Sequence, residues 1–141
     1  MKVDIATLCH SALSEGTHLS ILGAFVITYA PSIPHRLPSC ALTLRLIFDE
    51  SDAGTHVVRV EVTGTDGDQL YKREQGIELP SGEAPPTLGT THMAASLCLV
   101  YDLVGIVVKS FGAQAIDVSL DDQPIQQLLF YVYPESARNE S

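Results

Sequence analysis

The sequence predicts an all-β fold: an antiparallel β-sandwich, Ig-like or jelly-roll-like, with about eight strands and one short helical turn. The first observation is the two-residue alternation of apolar side chains, clear at residues 42–48 and 116–120, which is the period of a half-buried strand. The second is the regular spacing of turn residues between short apolar runs. The third is the proline-rich stretch 30–39, an extended loop that could carry the chain to a second sheet.

The amino-terminal part predicts two strands before the proline-rich loop. Residues 3–9 alternate as a first strand, and residues 14–16 mark a turn. Residues 19–29 form one long run that is apolar on both faces, as expected for a central strand covered on both sides. Gly23, in the middle of that run, indicates a bulge or a close backbone approach.

The middle of the chain predicts three further strands separated by polar turns. The strand at 42–48 ends in an acidic turn at 49–54, and Val58, Val60 and Val62 alternate in the next strand. An Asp-Gly pair at 66–67 favours a hairpin turn. Residues 70–79 are more polar, and charges of this kind protect the edge of a sheet, so we place this strand at an edge.

The stretch from residue 90 to 112 supports two interpretations. Met93, Leu97, Val100 and Val104 fit helical spacing, but Leu97, Leu99 and Tyr101 also fit a strand. Because β-branched residues and glycine are poor helix formers, we predict a strand to about residue 100, then a short helical turn near 103–108. The alternative is one helix over residues 93–109.

The carboxy-terminal hairpin organises the predicted sandwich. Residues 116–120 form one strand, residues 121–124 break the pattern, and residues 128–133 form an apolar second strand. With 141 residues the chain has the usual size of one domain. We therefore expect a single β-sandwich domain over residues 1–134 and a disordered tail over residues 135–141.

Composition and charge disfavour several classes of partner. The chain is 45% hydrophobic and carries a net charge of −9, so neither nucleic acid nor an anionic membrane is an expected partner. The amino terminus lacks the apolar run of a secretory signal, which predicts a cytoplasmic protein. In that setting Cys9, Cys40 and Cys98 are expected to be reduced and buried.

No motif predicts catalysis. The sequence contains no nucleophile elbow and no phosphate-binding glycine loop. Structural zinc sites use closely spaced ligand pairs, and the close pair Cys9–His10 would point to opposite faces of a strand. We therefore predict no catalytic residue and no cofactor.

Acidic turns offer the one metal hypothesis. If each connection reverses the chain, Glu15 gathers at one end of the sandwich with the turns at 49–52 and 121–122, and calcium prefers such oxygen ligands. The alternative is that these residues serve solubility. We expect no bound metal; a calcium site at this end would use Asp49, Asp52, Asp121 and Asp122.

Apolar residues left over on outward faces are candidates for an interface. Residues 128–133 are apolar on both faces, as are residues 19–29. Outward apolar side chains often mark a protein interface; the alternative is that the segment 90–112 covers both strands. The interface candidates are Leu22, Val26, Leu129, Tyr131 and Tyr133.

The segment LSILGAFVITYAPSIPHRLP (19–38), followed by LTLRLIF (42–48), is similar to a bacterial family of small uncharacterised β-sandwich proteins, described as a domain of unknown function. The closing pattern of a glycine, a strand, an acidic turn and a final apolar strand resembles that family too. The resemblance implies a sandwich fold and no activity.

The residues favour a non-catalytic cytoplasmic module that binds a protein partner or forms a homo-oligomer. One alternative is a module that binds a small ligand, carbohydrate or calcium at the acidic loop end. Another is an enzyme of unknown class.

Overall fold

Most of the chain is extended, in agreement with the two-residue alternation. The computed structural model describes residues 1–15, 18–80 and 95–139. The strands in these ranges are β1 (Lys2–Glu15), β2 (His18–Phe25), β3 (Ile27–Ala30), β4 (His35–Arg36), β5 (Ala41–Phe48), β6 (Gly54–Thr63), β7 (Gln69–Leu79), β8 (Ala95–Asp102), β9 (Val107–Val108), β10 (Gly112–Leu120) and β11 (Gln123–Pro134). Two short 3₁₀ helices are Glu50–Asp52 and Glu135–Asn139.

The strands form two main sheets. The first has four strands in the order β2-β1-β5-β8, and the second has five in the order β3-β11-β10-β6-β7. A small third sheet pairs β4 with β9. The all-β fold is confirmed, with one departure: β3 runs parallel to β11, whereas the other paired strands are antiparallel.

One hydrophobic core lies between the two main sheets. Alternate side chains of β5 face it, and alternate side chains of β6, β10 and β11 close it from the other side. Burying apolar side chains at every second position of facing strands is what makes two sheets adhere. The most completely buried of these residues include Leu42, Leu44, Leu46, Val58, Val60, Val62, Ile116, Val118, Phe130 and Val132.

The prediction of one strand over residues 19–29 is wrong. The run divides at Val26, and β2 belongs to the first sheet while β3 belongs to the second. The amide of Tyr131 donates to the carbonyl of Val26 at 2.8 Å, so the backbone is already hydrogen-bonded to β11 at that point. The chain therefore changes sheets before the proline-rich loop, and the loop itself contributes β4.

The predicted helical turn at residues 103–108 is also wrong. β8 ends at Asp102, a turn follows at Val104 and Gly105, and β9 pairs with β4. Ile106 and Val108 are buried, and β-branched residues fit a paired strand better than a helix. The alternative helix over 93–109 is excluded from residue 95 onward, while residues 81–94 lie outside the described part of the chain.

Two further predictions concern the charged strand and the carboxy-terminal tail. β7 is an edge strand of the five-stranded sheet, as predicted. Residues 135–139 of the expected disordered tail form a 3₁₀ helix, and Arg138 lies over the ring of Tyr29 at 5.7 Å; residues 140 and 141 lie outside the described ranges. No helix in the described part of the chain combines the length and apolar character needed to span a bilayer.

The acidic turns at residues 49–52 and 121–122 meet at one end of the sandwich, as predicted. The imidazole of His56 bridges them, with Nδ1 at 2.5 Å from Oδ2 of Asp121 and Nε2 at 2.6 Å from the carbonyl oxygen of Asp52. Glu15 does not join them. Because β1 runs antiparallel to β5, with Lys2 opposite Ile47, Glu15 lies at the opposite end.

Candidate interaction surface

The exposed large apolar side chains are concentrated in two places. Among the described residues they are Leu13, Ile21, Leu22, Val26, Ile27, Val57, Val104, Phe111 and Leu129. One group lies where β3 meets β11, and another lies on the paired ends of β1 and β2. Scattered apolar residues are ordinary on a protein surface, but contiguous patches mark interaction sites.

We call the first group the β3–β11 patch. It comprises Val26, Ile27, Leu129, Tyr131 and Tyr133. Strand alternation explains it: because Phe130 and Val132 point into the core, the three β11 residues of the patch point outward. Val26 is 55% exposed, Ile27 46% and Leu129 45%.

The two tyrosines of the patch are half-buried rather than fully exposed. Their rings stack with centroids 6.0 Å apart, and Ile27 lies beside Tyr131 in the parallel β3–β11 register. On the other side of β11, Ala113 faces Tyr131 and Ala115 faces Leu129. Small residues beside large aromatic ones make this part of the sheet an apolar platform.

On the same face of the five-stranded sheet, the half that lies away from the β3–β11 patch is charged. Arg59 Nε lies 3.0 Å from Oε1 of Glu74, and its Nη2 lies 2.8 Å from Oδ1 of Asp122. Gln127 Nε2 donates to Oδ1 of Asp117 at 2.8 Å. An apolar aromatic centre beside a polar margin is the usual composition of a protein interface.

We call the second group the hairpin arm, residues 11–15 of β1 with residues 18–22 of β2. Cys9, opposite Ala41, is the last residue of β1 that pairs with β5, so within the described part of the chain the arm consists of two strands. Leu22 is 70% exposed and Leu13 57%. Leu13 pairs with Ser20 on one face of the arm, and Ile21 lies on the other face opposite Ala12.

A groove of about 310 Å³ lies at the base of the arm. It is lined by His10 and Phe25, whose rings stack with centroids 5.2 Å apart. Ile27 and Tyr29 of β3 and Arg138 of the carboxy-terminal 3₁₀ helix are among the other residues that line it. The groove therefore joins the base of the hairpin arm to the β3–β11 patch.

The candidate calcium ligands are engaged by protein donors. The carboxylate of Asp49 accepts from the amide of Ser51 at 2.8 Å and caps the 3₁₀ helix Glu50–Asp52. The carboxylate of Asp52 accepts from the amide of Asp49 at 3.0 Å and lies 3.2 Å from the amino terminus of Met1. Asp122 pairs with Arg59.

Asp121 has a structural role in the β10–β11 turn. Asp121 and Asp122 have φ angles of 49° and 66°, the left-handed backbone of a two-residue hairpin turn that Asp tolerates better than most residues. The Asp121 carboxylate accepts from the amide of Val57 at 2.9 Å as well as from His56. In residues 1–15, 18–80 and 95–139, no three His, Cys, Asp or Glu side chains form a group that could hold a metal ion.

His56 forms a clip between the two acidic turns. Hydrogen bonds to Asp121 and to the carbonyl of Asp52 raise the pKa of His56 above its ordinary 6.5. The hydrogen bond from His56, helped by the amide of Val57, lowers the pKa of Asp121 below its ordinary 3.8. One ring nitrogen faces a carboxylate and the other a carbonyl oxygen, so the protonated ring can donate both hydrogen bonds.

We expect His56→Gln to reduce thermal stability more at pH 5.5 than at pH 9. A raised histidine pKa gives stability that is complete below about pH 6.5 and is lost as the pH rises through the folded-state pKa. The lowered Asp121 pKa gives stability that is lost only as the pH falls below about 4. The measurement is the melting temperature of the wild-type protein and of the His56→Gln variant from pH 5.5 to pH 9.

The control for the His56→Gln variant is Arg59→Gln, which removes the ion-pair partner of Glu74 and Asp122. Arginine stays charged from pH 5.5 to pH 9, so the effect of this variant should change little over that interval. A His56→Gln effect of equal size at both pH values would contradict the charged clip.

The cysteines lack the environment of a nucleophile. Cys9, Cys40 and Cys98 are all buried and free. Burial raises the pKa of Cys40 to about 11, with the neighbouring Cys9 as a second cause. Reactive cysteines have the opposite shift, toward the thiolate.

The sequence interpretation missed part of the surface. Leu13, Ile21 and Ile27 are exposed but were not among the interface candidates. The available signal was the alternation of Ser11, Leu13 and Glu15 with Ala12 and Ser14, which continues the first strand beyond residue 9.

Comparison with known proteins places the chain in a family without giving it an activity. No curated protein and no solved structure matches it. The model of a family of unknown function, DUF6941, matches residues 4–133. This match confirms the resemblance to a domain of unknown function, while a bacterial origin stays a prediction. The chain belongs to the DUF6941 family.

Proposed function

We propose that this chain is a non-catalytic cytoplasmic module that acts by protein interaction or self-assembly. The observation that carries the proposal is the clustering of exposed apolar side chains in the β3–β11 patch and on the hairpin arm. Exposed apolar area on a folded domain is favourable to bury against a partner, at roughly 25 cal/mol per Å². A charged margin beside the patch would fix the orientation of that partner.

The composition of the patch suits an interface. Tyr131 and Tyr133 are already stacked on each other, so little side-chain freedom is lost when a partner covers them. Tyrosine is enriched at interface centres because it combines a large apolar ring with a polar end. Neither β11 nor β3 carries an Asp, Glu, Lys or Arg within the patch.

The alternatives have less support from the described residues. A calcium or ligand site at the acidic loop end would compete with Arg59, His56 and the amino terminus for the carboxylates. An enzyme would need an activated group, and both nitrogens of His56 are hydrogen-bonded while the cysteines are buried. These observations favour the interaction module over both.

The proposal is tested by light scattering over a range of protein concentrations. The wild-type chain is expected to exceed its monomer mass of 15.2 kDa and to dissociate on dilution. The double variant Leu129→Ser with Tyr131→Ser should weaken association by about tenfold or more, because apolar and aromatic residues at an interface centre carry most of its free energy.

The matched control changes the charged half of the same face. Glu61 and Lys72 are cross-strand neighbours on β6 and β7, and replacing both by serine should leave association almost unchanged. Circular dichroism would show whether each variant is folded. A wild-type chain that stays monomeric at every concentration would contradict self-assembly, and equal effects of the two double variants would contradict a role for the patch.

A further inference from the structure

The outer edge of β2 is open. In the described residues β2 is the outermost strand of its sheet, and it hydrogen-bonds to β1 on one side only. The backbone amides and carbonyls on its other side are therefore available to pair with another strand. With eight residues, β2 offers a longer open edge than the four residues of β3.

This edge lacks the usual protection against pairing. Residues 18–30 contain no Asp, Glu, Lys or Arg, and proteins commonly place charges, above all lysine, on strands that must stay unpaired. The edge strand β7 follows that rule with Lys72, Arg73, Glu74 and Glu78. The edge strand β8 is as long as β2 and carries Asp102 as its only charged residue, but most of its side chains are buried or half-buried, whereas those of β2 are mostly exposed. The contrast within one chain points to β2 as the edge that is built to pair.

The hairpin arm also needs additional strands. Among the residues that the structure describes, residues 11–15 of β1 pair with β2 alone, and an isolated two-stranded ribbon is only marginally stable in water. Apolar side chains are exposed on the arm, with Leu13 and Leu22 more than half exposed. A third and fourth strand would complete the backbone hydrogen bonds of β2 and place cross-strand side chains beside Leu22.

Charge indicates that the partner is a second copy of this chain. Two copies with a net charge of −9 each repel one another, and they can approach closely only through a surface without carboxylates. β2 is such a surface, with His18 as its one titratable residue. A basic partner would gain no ion pair with β2, so the neutrality of this edge favours self-pairing.

We propose that two copies pair antiparallel, β2 against β2, about a two-fold axis, which joins two four-stranded sheets into one continuous sheet of eight. This inference rests on the proposed function: it names a second copy of the chain as the partner, and it adds the β2 edge to the β3–β11 patch as a contact of the same association. The pairing is isologous, so the same strand supplies both halves of the contact.

Symmetry fixes the register of this pairing to a few choices. Directly opposed residues of a sheet point to the same face. A two-fold axis perpendicular to the sheet maps each face of the sheet onto itself, so a given residue points to the same face in both chains. The residue at the axis must therefore lie opposite the same residue of the second chain. Leu22 is near the middle of β2 and is its most exposed large apolar residue, at 70%, so we place the axis there. Ser20 then faces Ala24 of the second copy.

A cysteine scan tests the register directly. Ser20→Cys, Leu22→Cys and Ala24→Cys place one thiol each on the same face of β2, and the three native cysteines are buried, so the introduced thiol is the reactive one. Opposed residues have Cα atoms about 4.5–5.5 Å apart, within disulfide range. Under mild oxidation we expect a covalent dimer mainly with Leu22→Cys, and much less with the positions on either side.

The matched variants are Leu22→Lys on the open edge and Gln75→Lys on the charged edge strand β7. Leu22→Lys places two like charges side by side at the axis and should abolish the dimer in light scattering, with its circular dichroism unchanged. Gln75→Lys adds the same charge elsewhere and should leave the dimer intact.

The outcomes separate this inference from the proposed function. If the wild-type chain associates but Leu22→Lys leaves its mass unchanged and no β2 cysteine cross-links preferentially, the β2 pairing is wrong and the interaction module stands. A wild-type chain that is monomeric at every concentration overturns the β2 pairing and the self-assembly form of the proposed function. Cross-linking that peaks at Ser20→Cys or Ala24→Cys would refute the axis at Leu22.

Discussion

Replacing Phe130 by alanine is expected to lower the free energy of unfolding by about 3–5 kcal/mol, the usual range for removing a buried aromatic ring. Phe130 is 1% exposed and lies on the core face of β11. The surrounding side chains come from both main sheets, so they cannot collapse into the cavity without moving the sheets. Urea unfolding of the two chains, followed by circular dichroism, measures the difference.

Leu129→Ala is the matched control, because Leu129 is the adjacent residue of the same strand and faces outward. It is 45% exposed, and substitutions at such surface positions usually change stability by about 0.5 kcal/mol or less. Similar losses for the two variants would mean that the outer face of β11 is packed as tightly as its inner face. That result would also remove Leu129 from the proposed interaction surface.

Strand alternation accounts for the parts of the fold that could be predicted from sequence. In β5 every second residue enters the core, so Leu42, Leu44 and Leu46 are visible as a strand without any knowledge of their partners. The same reasoning gave β6, the β10–β11 hairpin and the charged edge strand β7. Each of these strands stays in one sheet from end to end.

The parts that sequence reasoning misplaced depend on contacts between distant segments. Nothing in the local pattern of residues 19–29 marks Val26 as the point where the chain leaves one sheet for the other. That break depends on the hydrogen bond from Tyr131, more than a hundred residues later in the chain. Val107 and Val108 likewise became a strand because β4 lies beside them.

The candidate surface was partly visible in the sequence for the same reason. An apolar residue whose neighbours in the strand face the core must face outward, which correctly placed Leu129 on the surface. The pattern could not show how far β1 extends past β5, so it missed Leu13 of the hairpin arm. It also could not show that Asp121 holds the turn and His56 together.

Replacing Gly23 by alanine is expected to lower the free energy of unfolding by about 2–4 kcal/mol, the sum of a left-handed backbone and a steric clash. Gly23 has a φ of +69°, and it faces His10 because its neighbours Leu22 and Ala24 pair with Ser11 and Cys9. A Cβ atom at this position would overlap Cδ2 of the His10 ring. The ring is held in place by stacking on Phe25.

Gly76→Ala is the matched control for Gly23→Ala. Gly76 also lies in an edge strand, but a Cβ atom there meets no other atom within 4 Å and the backbone has no positive φ. We expect no loss of stability, or a gain of about 0.4–1 kcal/mol from the reduced freedom of the unfolded chain.

A double-mutant cycle separates the two causes of the Gly23→Ala loss. His10→Ala removes the ring that a new Cβ would strike, so in that background Gly23→Ala should cost only the backbone part, about 1–2 kcal/mol. Equal costs in the two backgrounds would show that His10 does not press on Gly23. Because the pair lies at the base of the hairpin arm, a smaller cost in the His10→Ala background would show that the histidine ring and the glycine together set how closely β2 lies against β1.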